Sequence, residues 1–222
     1  LDERNQWDLY RDLPGGLKGL KHISRQAKLN DCRFFIEYNQ WDESTRAEDQ
    51  MKGMAEILRE TDADGVVLDA TGNSTLLLQQ TADSVRKGLI MYSEGMPVVK
   101  DMPGIVAARV HNALFLSPEL NLNKLIRPDF AIFRVADVGE DILHREIAVA
   151  FFNGYGTELN MFRPGGRGEE YRADLEYLSR TTYLLRRNSD TFLDPGWTPL
   201  IKSAADRVYV NRWTAGDKTV FT

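Results

Sequence analysis

The chain alternates short apolar runs with longer amphipathic segments, and this alternation limits its fold more than any other property of the sequence. Strand-like runs span 31–38, 64–70, 88–93, 105–110 and 130–136. Segments with helical spacing separate or follow them. Leu17, Leu20, Ile23 and Ala27 mark the first, opened by Pro14-Gly-Gly. Met51, Met54 and Leu58 mark a second, expected to start near Ser44. Asn73-Ser-Thr is expected to cap a third, through Leu76, Leu77 and Val85. Ile142, Ile147, Ala150 and Phe151 line one over 141–152, and Tyr171, Leu175, Leu178 and Leu185 one over 169–188. Residues 154–161 read as a loop or a short strand. Strands alternating with helices of about 12 to 16 residues form βα units around a parallel sheet. About five or six such units precede residue 192. A closed (β/α)8 barrel takes eight strands and about 250 residues, whereas this chain has 222. The expected fold class is therefore α/β: residues 1–192 form the later part of a (β/α)8 TIM-type barrel whose first strands are absent. Pro195 and Pro199 are expected to break the chain there. Val208-Tyr-Val and Lys218-Thr-Val-Phe then flank the turn Ala215-Gly-Asp, so 193–222 reads as a linker and the first hairpin of a C-terminal antiparallel β-domain.

Charge and composition remove several functions. The net charge is −5, which gives no electrostatic case for a nucleic-acid partner. No run of 18 apolar residues occurs, so no membrane span is expected. The lone Cys32 cannot form an internal disulfide, and it reads as a small buried filler at a strand start. His22, His111 and His144 lack metal-ligand spacing, so neither a metal nor another cofactor is expected. No Walker, dinucleotide or Gly-x-Ser-x-Gly motif is present. Pro164-Gly-Gly-Arg-Gly168 precedes a helix without a core strand before it, and reads as a flexible turn. The sequence starts at Leu1 without Met or a signal peptide, which suggests processing or excision from a longer chain.

What remains points to carboxylate chemistry. The run Asp64-Gly-Val-Val-Leu-Asp69 delivers Asp69 to a strand tip, and Gly88-Leu-Ile-Met-Tyr-Ser-Glu94 repeats the pattern one βα unit later. α/β barrels build active sites from the C-terminal ends of successive strands. Paired acids there suit glycoside hydrolysis, in which one protonates the leaving oxygen and the other attacks the anomeric carbon or activates water. Asp69 is the candidate nucleophile or base, and the longer Glu94 the candidate acid. The plainer alternative makes Asp69 a helix cap and Glu94 a solvated loop acid. Glu158, in a loop freed by Gly154 and Gly156, is a third catalytic candidate or a structural loop acid. Candidate substrate contacts are Tyr38, Trp41 and Asp42 after the first strand, Arg109 and His111 at the 105–110 strand, Arg134 with Asp137 at the 130–136 strand, and Asn153. Trp41 stacks on a sugar face or packs beneath its loop. Asp42 binds hydroxyls or caps the helix at Ser44. His111 faces the pocket or is a satisfied structural histidine. Arg134 and Asp137 contact substrate or pair with each other.

Three stretches resemble glycoside hydrolase barrels of the α-galactosidase and α-amylase type. Leu13-Pro-Gly-Gly-Leu-Lys, a helix and Arg33-Phe-Phe-Ile resemble the segment leading to the third barrel strand. Asp64-Gly-Val-Val-Leu-Asp69 resembles the fourth strand, which carries the nucleophile. The stretch from Val208 to Phe221 looks like the opening of the β-domain behind such barrels. Together they cover about half of the chain. Phe151-Phe-Asn-Gly-Tyr-Gly-Thr-Glu-Leu-Asn160 looks like a motif of bacterial sugar-hydrolase-like proteins. The sequence departs from the α-amylase pattern at Val67, where an Arg stands two residues before the nucleophile. The resemblance implies an oligosaccharide or glycoside substrate and a secreted or periplasmic setting. Rival readings are a non-catalytic carbohydrate-binding piece, or another α/β enzyme such as an aldolase or isomerase using Lys100.

Overall fold

A computed structural model describes residues 6–40, 42, 49–69, 75–95, 99–110, 120, 122–137, 143–160 and 171–222. The chain divides into two compact units, Leu1–Ala108 and Arg109–Thr222. The first contains α1 (Gln6–Asp12), α2 (Gly16–Leu29), β1 (Phe35–Asn39), α3 (Gln50–Thr61), β2 (Gly65–Asp69), α4 (Leu76–Val85) and β3 (Ile90–Glu94). β4 (Ala107–Val110) runs across the division. The second continues with β5 (Ala131–Asp137), α5 (Leu143–Phe152), β6 (Gly156–Asn160), α6 (Arg172–Arg187), α7 (Ser189–Phe192), β7 (Gly196–Ile201), β8 (Val210–Ala215) and β9 (Lys218–Phe221). Strands β1 to β6 follow one another in sequence order in one sheet, and β7–β9 form a separate antiparallel sheet. A doubly wound sheet reverses its strand order at a switch point. The unreversed order of six strands is instead the winding of an α/β barrel, here partial.

Each strand has two distinct faces. In the first unit Ile36, Tyr38, Val66, Leu68, Met91 and Ser93 are all buried, while their strand neighbours, apart from the buried Gly65, are half-buried or exposed. The buried face is the one the crossover helices cover, and Trp7 of α1 stacks on Tyr38 at 5.3 Å. On the other face Phe35 meets Tyr92 edge-on at 5.5 Å across β2. Gly65 lies between them, and a Cβ there would come within 2.8 Å of the Phe35 ring and 1.9 Å of the Ile90 carbonyl oxygen. In the second unit Ala136 packs with Leu143 and Ile147 of α5, and Leu159 of β6 joins them. Trp197 of β7, Trp213 of β8 and Phe192 form a further core cluster.

A charged cluster sits where β2 begins. Asp64 is buried and lies within 4 Å of Lys28, Arg33 and Arg86, and it accepts the Phe34 N–H at 3.1 Å. Asp62, in left-handed backbone geometry, pairs with Lys28 at 2.9 Å. The Lys28 ammonium holds its carboxyl below the usual carboxylate value.

The structure corrects several expectations. Cys32 is exposed and precedes β1, which starts only at Phe35. α3 begins at Gln50 with Asp49 as its cap, not near Ser44. α4 is capped by Thr75, the last residue of the Asn73-Ser-Thr triplet. Of the two readings of 154–161, the short strand holds, over 156–160. Pro195 stands in the bend between α7 and β7, but Pro199 does not break the chain, because β7 runs through it. It does so at an irregularity between Thr198 and Ile201, where Leu200 has φ 49° and donates its N–H to the Asn211 side chain at 3.0 Å. Proline is tolerated in sheets at such bulges, where no ladder N–H is needed.

Candidate active site

The C-terminal residues of β1, β2 and β3 are Asn39, Asp69 and Glu94. Register sets Asn39 beside Asp69 and Leu68 beside Ser93, so Asp69 and Glu94 each stand one step beyond a paired, buried residue. Both acids are half-buried. Alternation along the strands puts them on the face of Val67 and Tyr92, away from the helices. The two carboxylates therefore belong to adjacent parallel strands, on one face, at the C-terminal edge of the sheet. Asn39 Nδ2 donates to Asp69 Oδ2 at 3.4 Å. The N-cap of the following helix is Thr75, whose hydroxyl takes the Leu78 N–H at 3.3 Å.

The other candidates part company with this pair. Tyr38 lies on the helix-facing side, 3% exposed against Trp7, so it is a core residue. Asp42 follows β1, and its carboxylate accepts the Gln6 backbone N–H at 2.8 Å, which caps α1 instead of the helix after Ser44. Trp41 and His111 lie outside the described residues. Arg134 is fully buried on the side of Ala136, against α5, and not on the face of Glu158. Asn153 directly follows α5, and its Nδ2 donates to the Val149 carbonyl at 3.1 Å. It comes before β6, at the end of the strand opposite to that of the acids.

Within the second unit, Glu158 lies in the middle of β6 and Arg109 on β4. Their side chains meet at 3.1 Å, and both are half-buried. Asp137 ends β5, in register with Asn160. The sequence reading missed Asn39, although it is the polar last residue of its strand, as Asp69 and Glu94 are of theirs.

Among the described residues no group of three or more His, Cys, Asp or Glu side chains is arranged to hold a metal ion. No helix among them is long and apolar enough to cross a membrane. A cleft of about 360 Å³ opens beside the first residues of β5 and β6, lined by Phe133, Gly156, Leu185 and Phe192 among others. A larger groove of about 640 Å³ follows the outer face of α6. Neither of these two hollows includes an acid.

No protein-family model matches this sequence, and no curated protein matches it. Solved structures do resemble it. An α-amylase from Geobacillus thermoleovorans, complexed with acarbose, aligns with a TM-score of 0.60 at 14% identity, over 96% of this chain and 71% of the other. An Anoxybacillus α-amylase, linked to a new glycosyl hydrolase subclass, aligns with a TM-score of 0.60 at 11% identity, over 93% of this chain and 68% of the other. At such identities the likeness concerns the fold alone: a partial α/β barrel, followed by an antiparallel sheet.

Proposed function

We propose that this chain is a carbohydrate-active hydrolase that cleaves a glycosidic bond with Asp69 and Glu94. The observation that carries the reading is their placement on neighbouring strand ends, on one face, at the edge where barrels hold their chemistry. The likeness to α-amylases supports it, and the acarbose held by one of them makes an oligosaccharide the reasonable substrate class. Residues 1–192 would supply the barrel and 193–222 the β-domain. Adjacent parallel strands lie about 4.8 Å apart. That spacing favours the short carboxyl separation of about 5 Å found in retaining enzymes. Glu94 then gives its proton to the glycosidic oxygen while an Asp69 oxygen attacks the anomeric carbon, forming a glycosyl ester. Glu94, now a carboxylate, takes a proton from water as that water releases the sugar and restores Asp69. Glu158 has the lesser claim, because Arg109 already engages it.

The departure at Val67 favours a second reading, oligosaccharide binding without turnover. The two separate on one assay: release of reducing ends from malto-oligosaccharides and a panel of nitrophenyl glycosides. Asp69→Asn and Glu94→Gln should each lower turnover about a thousandfold or more while leaving the melting temperature near that of the parent. Near-normal turnover in both variants would sink the assignment. Saturable sugar binding by a parent that turns nothing over would establish the second reading.

A further inference from the structure

β1 stands at the edge of the six-stranded sheet, where backbone groups are ordinarily left for another strand to pair. Here helix α1 meets them. The Gln6 side-chain amide accepts the Asn39 N–H through Oε1 at 2.9 Å and donates to the Asn39 carbonyl through Nε2 at 2.7 Å. One turn on, the Tyr10 hydroxyl accepts the Glu37 N–H at 2.7 Å and donates to the Glu37 carbonyl at 2.8 Å. Two side chains thus take the N–H and C=O of alternate strand residues, as a paired strand would. The spacing matches: four helical residues rise about 6 Å, and two strand residues about 6.6 Å.

The helix is fixed where it does this. Its Trp7 ring is buried between Tyr38 and Gly53 of α3, where a Cβ would come within 2.4 Å of the indole. Asp42 holds the Gln6 backbone N–H, and Gln50 Oε1 takes the second Nε2 hydrogen at 2.9 Å. Every polar group of the Gln6 amide is therefore committed. The residue it grips, Asn39, is the one whose side chain reaches Asp69.

We infer that α1 is a surrogate for a neighbouring strand, and that Gln6 is a positioning residue for Asp69, acting through Asn39. The last link rests on the reading of Asp69 as the reacting carboxylate, but its test needs no substrate. Amide hydrogen exchange by NMR is measured on the full chain, the Gln6→Ala and Tyr10→Phe variants, and Asp69→Ala. Exchange at Asn39 should quicken about five- to tenfold in Gln6→Ala, and exchange at Glu37 similarly in Tyr10→Phe, the scale of one lost hydrogen bond. The Val66 and Leu68 amides in β2 should keep their parent rates in both. The Asn39 side-chain amide signals should move in Gln6→Ala as they do in Asp69→Ala. An amide that keeps its parent rate in its own variant overturns the inference. So does a uniform rise through β1 and β2, which would make α1 only a stability contact, or an Asn39 side chain that Gln6→Ala leaves unmoved. A failed glycosidase assay would leave these rates untouched, so the two failures are distinguishable.

Discussion

Lys124 is the most unusual single residue, a lysine 4% exposed whose ammonium donates to the Pro128 and Phe192 carbonyls and lies 5.8 Å from the Trp213 ring centre. Burial brings its pKa down from 10.5 to about 8, with the Asp129 charge opposing. The sign of the pH effect follows from proton counts. Below about 8 both folded and unfolded chains hold this proton, and between about 8 and 10.5 the unfolded chain holds more. Stability from this side chain therefore rises with pH across that window. Urea unfolding midpoints taken from pH 7.5 to 9.5 should climb more steeply in the parent than in Lys124→Met; equal slopes would refute the assignment. Tyr10 titrates above this range, since burial raises its hydroxyl to about 12. At this scale the sequence revealed which residues were acids, but not their company. Glu158 read as a catalytic candidate or a structural loop acid, and its pairing with Arg109, 49 positions away, was not legible. Arg134 and Asn153 read as candidate substrate contacts because nothing local in the sequence announces that they are buried.

Among the elements, β1, β2 and β3 were legible because each is a short apolar run with polar residues at its boundary. Their helices were legible from spacing, though not their starts. Asp49 and Thr75 cap through side-chain oxygens that receive the Lys52 and Leu78 N–H groups. Ser44 and Asn73 carry the same chemistry a few positions away, so composition did not choose between them. Thr75→Ala should cost about 1 kcal/mol in denaturant unfolding, whereas Asn73→Ala should cost little; the reverse order would move the helix start. α1 gave no clear signal, because it buries Trp7 alone and is held by side-chain bonds to a strand about 30 residues further on. β7 was hidden by Pro199, which stands at the irregularity between Thr198 and Ile201.

For the molecule as a whole, unreversed strand order and the alternation of elements carry the barrel reading, and the α-amylase likeness at 14% identity agrees with it. Order of this kind is legible because each βα unit is local, while the partner of any one side chain is not. The candidate site follows from the same order: acids ending consecutive strands become neighbours when those strands pair. The account stands on Asp69 forming a bond to sugar. Turnover of a malto-oligosaccharide, quenched in acid and mapped by peptide mass, tests that step directly. The expected result is a glycosyl mass on the peptide that holds Asp69, absent in Asp69→Asn. A glycosyl mass on the Glu158 peptide, or active turnover with no modified peptide, would contradict it.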